Sequence, residues 1–201
     1  YTILLIGHEG HEEVEGTLGE APDRTILVED AAQAEAVQPP AGARLAYVTQ
    51  TTLSVDETSE IIGVLRRRFP DIVGPQKEDI CYATSNRQWA VKDMLPEIDL
   101  LLVIGSRNSS NSNRLVEVAR AAGVSSYLLD DETEIDETWL EGVRTVGITS
   151  GASAPEKLVT RVCDWFRARG VDDIQPFAMV EEDVFFRLPV ELRRELALVD
   201  S

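Results

Sequence analysis

The feature that most restricts the fold of this chain is an internal repeat. Gly7 and Gly105 each end a short continuous apolar run, Ile3-Leu4-Leu5-Ile6 and Leu100-Leu101-Leu102-Val103-Ile104, and each opens a polar loop. Leu27-Val28-Glu29-Asp30 in the first half pairs with Leu128-Leu129-Asp130-Asp131 in the second. Thr49 and Thr149 lie 100 residues apart, each between a strand pattern and a helix pattern. Solenoid repeats have periods of ~20–50 residues, so a repeat this long implies a duplicated α/β unit. The predicted fold class is α/β: two pseudo-equivalent small domains with mostly parallel sheets flanked by helices. The units are expected at residues 1–78 and 79–170, followed by a C-terminal tail at 171–201 that repeats nothing.

Continuous apolar runs of this length read as strands buried on both faces, as in parallel sheets. On that basis strands are predicted over residues 3–6, 25–28, 45–48, 100–104, 126–129 and 145–148. A short helix or turn is predicted over 14–18, and helices over 31–37, 54–69, 88–95, 114–121, 137–142 and 155–169. Ser54 followed by Glu57 has the spacing of a capping box, and Pro70 stops the helix that it opens. In the tail, a short strand at 184–188 and a short helix at 190–196 are expected.

Net charge is −17, from 19 basic and 36 acidic residues. Such a surface disfavours nucleic acid and anionic membranes as partners. No apolar run approaches the ~20 residues of a membrane span. The first residues have no basic region and no cleavage site, so they do not read as a signal peptide. They also lack Met and open directly inside a strand pattern, which suggests a chain that begins mid-protein. Two cysteines make no disulfide framework, and a reducing cytoplasm is expected.

In open parallel sheets, ligands bind beyond the carboxyl ends of the strands. Four polar loops take that place: residues 8–13, 49–52, 106–113 and 149–153. Several precede helix N-termini, which offer free N–H groups and a partial positive charge. Ser, Thr and Asn are also ordinary helix caps, and a duplication would copy caps too. Hydroxyl and amide donors converging with few Lys or Arg suit a phosphate held by neutral hydrogen bonds. His8 and His11, the chain's two histidines, share one loop with Glu13. Their spacing is not that of a helical zinc site; they are either plain loop residues or an anion-binding and proton-delivering group. Cys81 sits in Glu-Asp-Ile-Cys-Tyr-Ala-Thr-Ser-Asn-Arg-Gln (78–88). Spacing leaves two readings open, a small buried apolar residue and a ligand or reactive thiol. Cys163 reads as a helix-packing residue.

Five segments then carry a resemblance. Gly-His-Glu-Gly-His-Glu-Glu-Val-Glu-Gly-Thr-Leu-Gly (7–19), Thr-Gln-Thr-Thr-Leu-Ser-Val-Asp-Glu-Thr (49–58), Asp-Ile-Cys-Tyr-Ala-Thr-Ser-Asn-Arg-Gln (79–88), Gly-Ser-Arg-Asn-Ser-Ser-Asn-Ser-Asn-Arg-Leu (105–115) and Gly-Ala-Ser-Ala-Pro (151–155) occur in order along the chain. Together they resemble the 4-hydroxy-3-methylbut-2-enyl diphosphate reductase family, iron–sulfur oxidoreductases that end the methylerythritol phosphate route of isoprenoid biosynthesis. The resemblance implies reductive dehydroxylation of an allylic diphosphate at a [4Fe-4S] cluster with one open iron, giving isopentenyl and dimethylallyl diphosphate. It implies that Cys81 is one cluster ligand, that Glu13 relays protons and that Thr51 lies near the substrate hydroxyl. It implies that His11, Ser109, Ser110, Asn111 and Ser153 hold the diphosphate. It also implies an electron donor such as ferredoxin or flavodoxin. The family has three such domains and three cluster cysteines, and this chain matches the second and third domains plus the tail. The N-terminal domain and the other cluster ligands are therefore expected to be missing from these 201 residues, which alone would neither retain the cluster nor turn over. The alternatives are a non-redox diphosphate- or phosphosugar-binding module, or an inactive remnant whose polar loops are caps.

Overall fold

The computed structural model of the protein describes residues 1–76, 79–177, 189 and 192. The first half places strands β1 (Thr2–Ile6), β2 (Thr25–Val28) and β3 (Leu45–Thr49) in one parallel sheet of order β2-β1-β3. The second half repeats the plan with β4 (Leu100–Ile104), β5 (Ser125–Leu129) and β6 (Val146–Ser150) in the order β5-β4-β6, again all parallel. Six helices accompany them among the described residues: α1 (Glu12–Glu20), α2 (Ala31–Ala36), α3 (Val55–Arg68), α4 (Tyr82–Met94), α5 (Ser110–Ala121) and α6 (Glu156–Arg167). The α/β class with mostly parallel sheets is thus the observed one. The expected strand at 184–188 and, Leu192 apart, the expected helix at 190–196 lie outside the described residues.

The apolar runs are continuous because the central strands are covered on both faces. All five residues of β4 are fully buried. Side chains alternate across a strand, so Leu101 and Val103 pack with Val91, Met94, Leu115, Val116 and Ala119 of α4 and α5. Leu100, Leu102 and Ile104 face the other way, onto Val162 and Phe166 of α6. In the first half Leu4 and Ile6 of β1 pack with Ala34 of α2 and Ile61, Val64 and Leu65 of α3. The outer edge of β3 is covered rather than bare: Tyr47 N donates to Val73 O at 2.9 Å, and Val73 N to Leu45 O at 3.0 Å. Covering an edge removes a template for unwanted strand pairing.

Helix bounds differ from the sequence expectation in several places, beginning with α1, which spans Glu12–Glu20 rather than 14–18. Helix α4 begins at Tyr82, six residues before Gln88, with Cys81 as its N-cap. Helix α5 begins at Ser110, not Arg114, capped by Ser109, whose Oγ accepts from Ser112 N at 3.4 Å. Both first turns are polar yet inward-facing, with Thr84, Ser85 and Ser112 buried, so no apolar period marks them. The stretch expected to be helical at 137–142 forms a 3₁₀ turn, Glu137–Leu140. Ser54 caps α3 as expected, but the carboxylate of Glu57 pairs with Arg114 at 3.2 Å.

Helix α4 is attached to both halves. It shares a core with α5, while the fully buried Gln88 reaches the first half. Gln88 Oε1 accepts from Val55 N at 3.0 Å and its Nε2 donates to Leu53 O at 2.8 Å. Arg87 Nε donates to Ser150 O, at the end of β6, at 3.1 Å. Replacing Gln88 with Leu leaves the part-buried Val55 N and the buried Leu53 carbonyl without these partners. We expect Gln88→Leu to cost about 2–3 kcal/mol of unfolding free energy, read by urea denaturation.

A second measurable feature lies at the start of β6. Asp99 Oδ2 accepts from Arg144 N at 2.9 Å and Thr145 N at 3.1 Å. These backbone hydrogen bonds, first that from Arg144, hold its carboxyl below its ordinary value of 3.8. A lowered folded-state value makes the contribution to stability present above the ordinary value and lost as pH falls through the folded one. The melting temperatures of the parent protein and Asp99→Asn should therefore differ at pH 6 and converge as the carboxylate is protonated below its ordinary value.

Candidate functional site

Each sheet ends in glycine-led loops at its carboxyl edge, and hydrogen bonds join these loops into one continuous surface. After β1, the chain turns through His8 and Gly10 into α1. His11 caps that helix, its Nδ1 accepting from Glu13 N at 3.2 Å, which leaves the Nε2 side of the ring for a ligand. Glu13, in the first turn, is half-buried and turns its carboxylate onto the loop after β3. Thr51 N lies 3.1 Å from both Glu13 carboxylate oxygens, and Thr51 Oγ1 donates to Oε2 at 3.0 Å. One residue thus orients the carboxyl with both its backbone and its side chain.

The same Thr51 holds the start of α4. Cys81 N donates to Thr51 O at 3.0 Å. Cys81 is a free, exposed cysteine at the N-cap of a 13-residue helix. Its exposure removes the reading of a small buried core residue. Its sulfur is therefore open to a ligand at the N-terminal end of α4. Cys163 is half-buried on α6.

The second half meets this surface through the N-terminus of α5. Thr52 Oγ1 donates to Ser110 Oγ at 2.9 Å, and Gln50 Nε2 approaches the same oxygen at 3.4 Å. Ser109 Oγ accepts from Ser112 Oγ at 2.9 Å and from Asn111 Nδ2 at 3.1 Å. Asn111 Oδ1 in turn accepts from Ala152 N, on the loop after β6, at 2.9 Å. This close approach needs glycine. A Cβ on Gly105 or Gly151 would lie 2.3 or 2.1 Å from Ser112 Oγ. Ser153 is exposed on the loop after β6 and, among the described residues, makes no hydrogen bond to the other candidates.

The structure therefore brings Glu13, Thr51 and Cys81 into one connected group, and Ser109, Ser110 and Asn111 into a second that touches the first through Gln50 and Thr52. His11 joins through its contact with Glu13. Three participants escaped the sequence reading. Gln50 is 1% exposed and sits inside a run of hydroxyl residues that masks it as one more polar loop residue. Thr52 belongs to the same run. Arg114, assigned to a plain helix, is the charged clasp between the halves: its Nη1 pairs with Glu57 at 3.2 Å and Glu117 at 2.6 Å, and its Nη2 donates to His8 Nε2 at 2.9 Å. Its spacing from His8 along the chain offered no signal for this. Among the described residues, no group of three or more His, Cys, Asp or Glu side chains is placed to hold a metal ion, and no helix is long and apolar enough to cross a membrane.

The chain is 56% identical over 200 residues to a 4-hydroxy-3-methylbut-2-enyl diphosphate reductase of Streptomyces coelicolor, covering 98% of this chain and 58% of that protein. It is 53% identical over 199 residues to the protein of the same name from Bordetella pertussis, covering 99% of this chain and 61% of the relative. The chain thus spans about three-fifths of the length of these curated relatives. Among solved structures, the E-1-hydroxy-2-methyl-but-2-enyl-4-diphosphate reductase of Plasmodium falciparum superposes with a TM-score of 0.90 at 33% identity, over 100% of this chain and 64% of that one. The family model described as LytB protein matches residues 1–167, a range that contains both sheets and every loop of the site, and the chain belongs to that family.

Proposed function

We propose that this chain carries the acid–base and diphosphate-binding part of a reductase that removes the hydroxyl from 4-hydroxy-3-methylbut-2-enyl diphosphate. The single observation that carries the reading is the Glu13 carboxyl, held by two donors of Thr51, whose carbonyl also fixes the helix tip bearing Cys81. A general acid must be positioned by its surroundings before its proton is of use. The reaction breaks the allylic C–O bond, takes up two electrons and two protons, and releases water with isopentenyl or dimethylallyl diphosphate. Glu13 delivers the proton to the leaving oxygen, and Thr51 orients both the carboxyl and the substrate hydroxyl. His11, Ser109, Ser110, Asn111 and Ser153 receive the diphosphate with neutral donors and one imidazole. The free N–H groups of the α5 N-terminus lie beside them, where anions are favoured.

The donor set fits a thiolate-bound iron–sulfur group in one respect. Cys81 is exposed, unpaired and at a helix N-terminus, so it is suited to supply one ligand. The remaining ligands then come from sequence outside these 201 residues, as a separate N-terminal domain would provide. A [4Fe-4S] cluster with one open iron would supply the electrons and a Lewis-acid position for the hydroxyl. A small electron carrier of ferredoxin or flavodoxin type would refill it, in the cytoplasm. A second reading, a non-redox diphosphate-binding module, is favoured by the Ser109-Ser110-Asn111 group, which is complete without Cys81.

Glu13→Gln separates the two. In the full-length native protein it should lower turnover by about 10²–10⁴-fold while affinity for the substrate changes only a few-fold, as read by steady-state rates beside a binding titration. Turnover that survives the substitution contradicts the assigned proton donor.

A further inference from the structure

The contact between Thr52 and Ser110 carries more than a tie between two loops, because the directions of its hydrogen bonds are constrained. Gln50 is 1% exposed, and its amide has one possible orientation. His8 N, a backbone group that can only donate, lies 3.1 Å from one end, so that end is the carbonyl Oε1. The other end is therefore the NH₂ group, which donates to Thr52 Oγ1 at 3.0 Å. That NH₂ group cannot accept the Thr52 proton, so the Thr52 hydroxyl donates to its other neighbour, Ser110 Oγ, at 2.9 Å. Gln50 Nε2 also faces Ser110 Oγ, at 3.4 Å, again as a donor.

We infer that Thr52 is a positioning residue that, relayed through Gln50, turns the hydroxyl proton of Ser110 toward a bound diphosphate. An anion accepts and does not donate, so Ser110 can bind it only by giving up its own proton to it. Thr52 and Gln50 occupy the other side of Ser110 Oγ with donors, which leaves the proton free for the ligand and polarises it further. The chain runs from the backbone of the β1 loop through two side chains of the β3 loop to the first turn of α5. Diphosphate affinity on the second half is thereby set by residues of the first. The inference rests on the reading of Ser110 as a diphosphate donor. Thr52 itself acts through Ser110.

The test is calorimetric titration of the full-length native protein with inorganic diphosphate. Thr52→Val, which keeps the shape and removes the hydroxyl, should weaken binding about five- to tenfold. Thr52→Ser, which restores the hydroxyl, should return the affinity to within about twofold of the parent. In a Ser110→Ala background, Thr52→Val should add nothing, since the group it orients is gone. An equal further loss in that background overturns the inference, because Thr52 would then act directly or on the fold at large. Unchanged affinity in Thr52→Val, with Ser110→Ala weakened, overturns it as well while leaving Ser110 as a ligand. Unchanged affinity in Ser110→Ala removes the reading on which the inference stands, and the inference with it.

Discussion

The side-chain amide of Gln88 reaches from α4 to the loop between β3 and α3, accepting from Val55 N and donating to Leu53 O with no exposure to solvent. Much of the site depends on that attachment. Helix α4 is built into the second half by Val91 and Met94, and Gln88 ties it to the first. With it, the N-terminus of the helix lies against Thr51, and Cys81 N finds the Thr51 carbonyl. Arg87, one residue earlier, catches the end of β6. A buried amide satisfied at both ends is specific in direction as well as distance. That makes it a better device for setting a helix tip than an apolar contact, which tolerates sliding.

Around this link the duplicated plan is used unequally. Both halves put glycine-led loops at the carboxyl edge of a parallel sheet, where a crevice forms beside the middle strand. The first half fills its crevice with the Glu13–Thr51 pair, and the second with the Ser109–Asn111 turn of α5. The oriented carboxyl and the hydroxyl–amide cluster thus lie on different halves. The hydrogen bonds from Gln50 and Thr52 to Ser110, with the Arg114 contacts to His8 and Glu57, join them.

Much of the fold was legible because parallel strands covered on both faces write themselves as apolar runs, as Leu100 to Ile104 does. The repeat then supplied the architecture. Where α4 and α5 begin was not legible, because Thr84, Ser85 and Ser112 are buried for hydrogen bonding rather than for apolar packing, and periodicity registers only the latter. The polar loops were located from strand ends alone, but the parts proposed for Cys81, Glu13 and the serines rest on resemblance. Gln50, Thr52 and Arg114 could not be found from spacing. Their partners lie 60, 58 and 106 residues away along the chain, and nothing local to any of them indicates the contact.

What unites these features is a placement: a carboxyl oriented by Thr51, a cysteine whose backbone N–H donates to the same residue's carbonyl, and a Ser–Asn cluster tied to the Thr51 loop through Gln50 and Thr52. That placement suits a reaction in which a hydroxyl leaves from a diphosphate-anchored chain. The most direct measurement is anaerobic incubation of the full-length native protein, its iron–sulfur content confirmed, with 4-hydroxy-3-methylbut-2-enyl diphosphate and a chemical reductant, followed by analysis of products. The account predicts isopentenyl and dimethylallyl diphosphate from the native protein and none from Cys81→Ser. Substrate recovered unchanged from the iron-loaded native protein, despite binding, would contradict it.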